Sequence, residues 1–328
     1  MSKIKLVIPA FNEETNIEPF FLRCREVENA SSHEFSYIFV DDGSKDGTYD
    51  RIRFLASSET DSVIKGISFS RNFGKESAML AGLTEADKMD GDYTAIIDAD
   101  LQQDPEYVVA MADYLDENKD YDCVCCYQAG RKEGAFMKFA KRRFYRMINS
   151  ASDTEFVENA SDFRMFRNDV VKAVLALGEY NRFSKGIFSW VGFKTHYMPY
   201  DVKERASGTS KWSFGKLMKY GVGGILGFST APLGMAIWLG MLTSLGALIF
   251  LIINVVEKLI GKTTVPGFAT IVCLILFIGG VNMILLGIMG EYIAKMYMEV
   301  KNRPIFIVKD VIDSERNVLV NSKESVEN

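Results

Sequence analysis

Two aspartates separated by one residue, Asp98 and Asp100, are well placed in this sequence to bind a metal ion. They follow residues 93–97, an apolar run typical of a buried strand. Gln102 offers a neutral oxygen two residues further on. Such oxygens bind Mg²⁺ or Mn²⁺, particularly when a diphosphate completes the coordination shell. An exposed acidic loop or a helix cap is the alternative, but the position after a buried strand favours a divalent-cation site.

Two other acidic segments also follow apolar runs: PAFNEE at residues 9–14 and VDDGSKD at residues 40–46. From residue 3 to residue 127, short apolar runs alternate with segments that have helical spacing. This alternation predicts an α/β fold with a doubly wound, mainly parallel sheet. Such sheets bind ligands at the carboxyl ends of their strands, so the three acidic segments are expected to converge on one edge.

Several function classes are disfavoured. No Gly-x-Gly-x-x-Gly follows the first strand and no P-loop motif occurs, which argues against dinucleotide oxidoreductases and P-loop NTPases. Neither His33 nor His196 lies near a Ser or Cys nucleophile pattern. The net charge of −5 argues against nucleic-acid binding. The five cysteines lack disulfide or zinc spacing, and residues 123–126 have the composition of a buried strand, which indicates a reducing compartment.

Two apolar runs, residues 228–256 and 266–290, are long enough to cross a bilayer, which takes about 20 residues per helix. The short turn between them predicts a hairpin with both ends on one side of the membrane. Lysine and arginine outside the hairpin favour the cytoplasmic side for both ends. A pair of buried helices in a soluble core is the alternative, but each run is longer than such a core usually covers.

A basic stretch, residues 131–146, carries seven cationic residues and one acidic residue, with aromatic residues between them. A cationic helix with an aromatic face lies flat on an anionic membrane surface. Arg131 and Arg142 are the candidates for binding a lipid phosphate, because arginine can bind phosphate through two hydrogen bonds. A solvated charged helix is the alternative.

Six segments in this order, followed by two predicted spans, resemble the polyisoprenyl-phosphate glycosyltransferases. The segments are PAFNEE, VDDGSKDGT, RNFGKESAMLAGL, DADLQQDPE, SDFRMF and RASGTSKW. This group has the GT-A fold of inverting family 2 enzymes and includes dolichol-phosphate mannose synthases and bactoprenol glucosyltransferases. The resemblance extends from residue 4 to about residue 303. It implies transfer of a sugar from a UDP-sugar to undecaprenyl phosphate at the cytoplasmic face of the inner membrane, with Mg²⁺ or Mn²⁺ as the cofactor.

The resemblance also implies roles for individual residues. The nucleotide-binding residues would be Pro9, Glu13, Asp42, Arg71 and Asp98. The metal ligands would be Asp98, Asp100 and Gln102. The catalytic residues would be Asp162, Arg205 and Lys211, of which the last two would hold the diphosphate or the acceptor phosphate. Because a phosphate monoester, with a second pKa near 6, is already largely ionised at neutral pH, Asp162 is expected to orient the acceptor, with Arg164 holding it in place.

The implied organisation is a cytoplasmic catalytic domain (residues 1–210), a juxtamembrane amphipathic helix (211–227), two transmembrane helices (228–292) and a cytoplasmic tail (293–328). In the tail, strand-like runs at residues 305–308 and 317–320 would pair with each other or with a neighbouring subunit. Relatives with such a tail form tetramers, so a homotetramer is expected.

Two other functions stay open. A processive polysaccharide synthase would share the catalytic fold, although the three tryptophans lack the Gln-x-x-Arg-Trp motif of those enzymes. A non-catalytic membrane scaffold would keep the fold without the chemistry. For the transferred sugar, glucose and N-acetylglucosamine are the preferred candidates, ahead of galactose and mannose.

Overall fold

The computed structural model describes residues 1–128, 160–201, 231–260 and 267–314. Several predictions lie outside these ranges, so the structure does not test them. They concern the basic stretch at residues 131–146 with Arg131 and Arg142, then Arg205, Lys211, the helix at 211–227 and the run at 317–320.

Strands and helices alternate through the first described range, as predicted. The strands are β1 (Lys3–Ala10), β2 (Glu34–Asp41), β3 (Val63–Phe69), β4 (Tyr93–Ile96) and β5 (Cys123–Gln128). The helices are α1 (Glu14–Ala30), α2 (Thr48–Ser58), α3 (Lys75–Ala86) and α4 (Glu106–Glu117). The second range adds β6 (Ala160–Arg167), α5 (Asn168–Leu175), α6 (Ser184–Trp190) and β7 (Thr195–Tyr200). Then follow α7 (Ala231–Leu259), α8 (Phe268–Val300) and β8 (Val308–Asp313).

All eight described strands form one sheet, in the order β7-β5-β6-β4-β1-β2-β3-β8. Neighbours are parallel from β4 through β1 and β2 to β3, and β5 is parallel to β7. In contrast, β6 runs antiparallel to both β4 and β5, and β8 runs antiparallel to β3. The predicted α/β sheet is confirmed. Reversal of β6 brings the start of that strand to the edge where the parallel strands end.

Buried apolar side chains cover both faces of the sheet. On one face, Ile8 of β1 lies in a cluster with Phe20 of α1 and Met111 of α4. On the other, Val7 lies in a cluster with Met79 of α3 and Val170 of α5. Helix α3 lies so close to β1 that a Cβ atom on Gly82 would approach Val7 Cγ1 to 2.2 Å. Layers of helix on both faces are the doubly wound arrangement that the sequence predicted.

The cysteines of β5 are buried, as predicted. Cys123, Cys125 and Cys126 are free thiols within the strand. Burial raises the pKa of Cys123 to about 11 and that of Cys126 to about 12. The thiols of Cys123 and Cys126 therefore stay protonated near neutral pH, which makes them poor nucleophiles and poor metal ligands.

The C-terminal strand corrects one prediction. Residues 305–308 were expected to form a strand that pairs within the tail or with another subunit. The strand instead spans Val308–Asp313 and pairs antiparallel with β3 of the same chain. Ion pairs from Arg53 to Asp310 and from Lys65 to Asp313 accompany the pairing. Because β3 was an open edge of the sheet, the tail supplies the hydrogen bonds that this edge lacked.

The two apolar runs form α7 and α8, and the second helix continues past its predicted end at residue 290 to Val300. By length and composition, one segment among the described residues, Phe277–Val300, can cross a membrane. A shorter apolar helical segment, Ala236–Phe250, lies within the first run. The structure therefore bears out the hairpin only in part, and a second crossing stays a prediction.

Candidate active site

The three acidic segments converge on one edge of the sheet, as predicted. They follow β1, β2 and β4, which are parallel and therefore end on the same side. Asp162 reaches this edge from β6. Because Ile96 of β4 lies opposite Arg164 of antiparallel β6, continuing the register by two residues brings Asp98 beside Asp162.

The ammonium group of Lys75 joins these two carboxylates. Lys75 Nζ lies 2.7 Å from Asp98 Oδ1, 2.9 Å from Asp98 Oδ2 and 3.3 Å from Asp162 Oδ2. Burial lowers the pKa of Lys75, but the charges of Asp98 and Asp162 outweigh this effect and raise the pKa above its usual value. The lysine is therefore a permanent cation at neutral pH.

Sequence reasoning missed Lys75, although the residue lies in the segment RNFGKES. A signal was available, since this segment follows β3 and so ends at the same edge as the acidic segments. Lys75 is the first residue of α3, where a cation interacts unfavourably with the helix dipole. Its position is understandable only when the carboxylates of Asp98 and Asp162 are taken into account.

Asp162 is the carboxylate that the resemblance marks as catalytic, and cations surround it. Burial would raise its pKa, but Lys75 first, then Lys185 and Arg164, hold the pKa below the usual value. No described residue donates a hydrogen bond to its second oxygen, Oδ1, which is buried. One oxygen is thus bound to Lys75 and the other is available to a ligand or to residues beyond those described.

Arg164 does not hold Asp162 by a direct contact, so that expectation is wrong. The guanidinium of Arg164 is buried and donates to the backbone carbonyl of Ser161 through Nε (3.2 Å) and Nη2 (2.7 Å). The same group lies over the ring of Phe188, 4.5 Å from its centroid. Arg164 therefore acts on Asp162 through its charge, and Lys75 makes the contact.

A neighbouring glutamine, Gln103, supports Asp98. The backbone N–H of Asp98 donates to Gln103 Oε1 at 3.0 Å, and Gln103 Nε2 donates to Asp98 Oδ2 at 3.2 Å. Gln102, the predicted metal ligand, donates its backbone N–H to Asp100 Oδ1 at 3.2 Å. Leu101 between them has a φ of +60°, a left-handed conformation that costs about 1–3 kcal/mol in a non-glycine residue. Strain of this size is often found at functional sites.

Asp42 anchors the loop that leads to Lys75. Its buried carboxylate accepts hydrogen bonds from the backbone N–H groups of Phe73 (2.6 Å) and Gly74 (2.9 Å). Burial raises the pKa of Asp42 despite these bonds. At Gly43, with a φ of +65°, a Cβ atom would lie 2.3 Å from the backbone of Arg71, so only glycine allows this approach. The predicted role of Asp42 toward a nucleotide stays a prediction.

The other predicted nucleotide-binding residues lie along the same edge. Pro9 is half-buried near the end of β1. Glu13 precedes α1, and its Oε2 accepts from Asn16 Nδ2 at 2.6 Å. Arg71 is exposed, with its guanidinium 3.9 Å from the centroid of the Phe73 ring. The edge thus combines an exposed guanidinium with carboxylates, which suits an anionic ligand that carries its own cation.

The described residues include no cluster of three or more His, Cys, Asp or Glu side chains that would hold a metal ion unaided. Asp98 and Asp100 are hard oxygen donors separated by one residue, and Asp100 is partly exposed. This donor set fits Mg²⁺ or Mn²⁺ when a ligand contributes further oxygens, because Mg²⁺ is usually held by one or two carboxylates together with phosphate and water.

Comparison with known proteins identifies the family of the chain. The glycosyl transferase family 2 model matches residues 5–175. The chain is 38% identical over 310 residues to a prophage bactoprenol glucosyl transferase homolog of Escherichia coli (strain K12), covering 94% of this chain and 99% of that protein. It is 37% identical over 308 residues to the bactoprenol glucosyl transferase of Shigella phage SfII, covering 94% and 97%.

Among solved structures, glucosyl-3-phosphoglycerate synthase from Mycobacterium tuberculosis is 17% identical, with a TM-score of 0.44 over 69% of this chain and 77% of that one. The family model spans the strands that carry the candidate site, and the curated relatives extend over nearly the whole chain. The protein belongs to glycosyl transferase family 2.

Proposed function

We propose that this protein transfers a sugar from a UDP-sugar to a polyprenyl phosphate, with inversion at the anomeric carbon. The observation that carries the proposal is the pair Asp98 and Asp162, joined by Lys75 at the sheet edge where parallel α/β sheets bind ligands. The names of the full-length relatives, bactoprenol glucosyl transferases, support the lipid acceptor.

For the donor, we assign the edge formed by the ends of β1, β2 and β4. Asp98 and Asp100 would hold Mg²⁺ or Mn²⁺ together with the diphosphate. When bound, such a cation stabilises the negative charge that develops on the leaving diphosphate. Pro9, Glu13, Asp42 and Arg71 line the same edge and are the proposed contacts of the nucleoside. Gln102 remains a proposed ligand.

The acceptor needs little activation by a general base. An oxygen of the lipid phosphate attacks the anomeric carbon, and the bond from that carbon to the diphosphate breaks, with its electron pair leaving on UDP. The attacking phosphate is already ionised near neutral pH. The lowered pKa of Asp162 makes it a weak base, which supports an orienting role. Arg131, Arg142, Arg205 and Lys211 are the proposed phosphate contacts.

We place the reaction at the cytoplasmic membrane face, with the chain crossing the membrane twice. Strands β7 and β8 belong to one sheet and therefore lie on one side of any membrane. A chain that crosses at Phe277–Val300 must cross once more between these strands to return. The predicted first span supplies the second crossing, and the lysine and arginine residues outside the hairpin favour the cytoplasm for the sheet.

The test is a transfer assay with purified full-length protein in detergent, labelled UDP-glucose or UDP-N-acetylglucosamine, and undecaprenyl phosphate. A single labelled sugar on the lipid is expected. Excess chelator should abolish the reaction, and Asp100→Asn should lower the rate by at least about 100-fold. Asp90→Asn is the control. Asp90 forms an exposed ion pair with Lys3, so this variant should keep the wild-type rate. A sugar polymer would instead indicate a processive synthase, and absence of transfer with every donor would favour a scaffold.

A further inference from the structure

Among the described residues, Lys75 is the side chain that contacts both Asp98 and Asp162. The proposed reaction assigns it no chemical step. Its ammonium group contacts both oxygens of Asp98, at 2.7 Å and 2.9 Å. Gln103 donates to one of the same oxygens at 3.2 Å. Both carboxylate oxygens of the proposed metal ligand are therefore already bound.

The fold holds Lys75 firmly in this position. The preceding residues, Phe73 and Gly74, are fixed to the carboxylate of Asp42 through their backbone N–H groups. Gly74 has a φ of +100°, which directs the chain into α3 at Lys75. The ammonium group is thus set between the two carboxylates by an anchored loop as well as by its own ion pairs.

A divalent cation that approaches Asp98 in the absence of nucleotide meets this fixed positive charge. At about 4 Å, like charges repel by several times the thermal energy, even with an effective dielectric constant of about 20. The diphosphate of a donor brings negative charge that offsets the repulsion and oxygens that complete the coordination shell. The positive charge of Lys75 therefore opposes binding of the cation alone, and the diphosphate offsets that charge when the nucleotide is bound.

We propose that Lys75 competes with the divalent cation for Asp98, so that the cation binds tightly only together with the nucleotide diphosphate. In the donor-free enzyme the ammonium group also keeps Asp98 and Asp162 at their spacing. The inference rests on the proposed function, because it assumes that Asp98 is a ligand of the cation.

The experiment measures Mn²⁺ binding by electron paramagnetic resonance, with and without UDP, on full-length protein in detergent. Lys75→Met removes the charge and keeps the chain length, Lys75→Arg keeps a charge, and Lys88→Met removes an exposed lysine just beyond α3. Without UDP, Lys75→Met is expected to bind Mn²⁺ at least about tenfold more tightly than the wild type. With UDP, the difference should shrink to within about threefold. The other two variants should match the wild type.

If Lys75→Met does not fold, Lys75→Gln provides the same test, because it removes the charge and keeps a donor toward Asp98. Unchanged or weaker Mn²⁺ binding in the neutral variants without UDP would overturn the competition. In that case the UDP-dependent binding of the wild type would leave the proposed function standing. Failure of the wild type to bind Mn²⁺ even with UDP would overturn both the inference and the metal-dependent function.

Discussion

Asp162 is a carboxylate whose surroundings fix its protonation state. Lys75 contacts it, and Lys185 and Arg164 add positive charge nearby, so the pKa of the carboxyl group lies below its usual value despite burial. A group with this pKa is fully ionised throughout the neutral range and gains little by taking a proton. We therefore propose that Asp162 contributes to the reaction through the position and sign of its charge.

The pH dependence of an Asp162→Asn variant tests this view. We expect a loss smaller than the roughly 10²–10⁴-fold that general base catalysis contributes, nearly independent of pH above about 7. Asparagine keeps the shape and one acceptor oxygen, so Asp162→Asn should be faster than Asp162→Ala. The measurement is kcat for both variants from about pH 6 to about pH 9. A rate for the asparagine variant that rises tenfold per pH unit would identify Asp162 as a base.

Among the elements, the basic stretch at residues 131–146 is the one that we propose binds the lipid substrate. We expect Arg131→Ala and Arg142→Ala to raise KM for polyprenyl phosphate about tenfold or more, since each loses a charge-assisted bond to phosphate. KM for the UDP-sugar should change little. Lys88→Ala is the control for a loss of positive charge, because Lys88 is an exposed lysine just past the end of α3. An effect confined to the nucleotide would assign the stretch to the donor instead.

The tail is the other element with a testable role. Phe306, just before β8, stacks on Phe69 with ring centroids 4.9 Å apart, and Phe69 packs edge-on against Phe73 in the loop that leads to Lys75. Phe306→Ala should cost about 1–3 kcal/mol, because the ring is only partly buried. For a domain of this size, where 1 kcal/mol shifts the melting temperature by about 2–4 °C, the melting temperature should fall by about 2–12 °C.

Thermal unfolding in detergent measures this effect. Val311→Ala, in the exposed part of β8, is the matched control and should shift the melting temperature by less than about 2 °C. Phe306→Leu should recover part of the loss. Equal shifts for Phe306→Ala and Val311→Ala would mean that the aromatic contact does not stabilise the tail.

For the whole molecule, membership of β7 and β8 in one sheet requires an even number of membrane crossings between them. Thr263→Cys and Lys309→Cys, each introduced separately into a chain whose five native cysteines are replaced by alanine, test the hairpin. A membrane-impermeant maleimide should label residue 263, in the predicted outer turn, in intact cells. It should label residue 309, in β8, only after lysis. Labelling of both positions only after lysis would argue that the helices do not cross.

The sequence by itself determined the class of the molecule and most of its elements. Apolar runs of strand length separated by amphipathic segments have few stable arrangements, and these require a layered α/β sheet. Strand ends follow from composition, so the convergence of the segments containing Glu13, Asp42 and Asp98 on one edge was predictable. These inferences succeed because they depend on local periodicity and on the geometry of parallel strands.

Only the tertiary structure decided which side chains meet. The contact of Lys75 with Asp98 and Asp162 joins segments from three parts of the chain, and it depends on the antiparallel reversal of β6, for which the sequence gives no local signal. The same holds for β8, whose pairing with β3 spans more than 200 residues of sequence. Contacts between distant segments depend on the packed fold as a whole, so residue spacing along the chain cannot supply them.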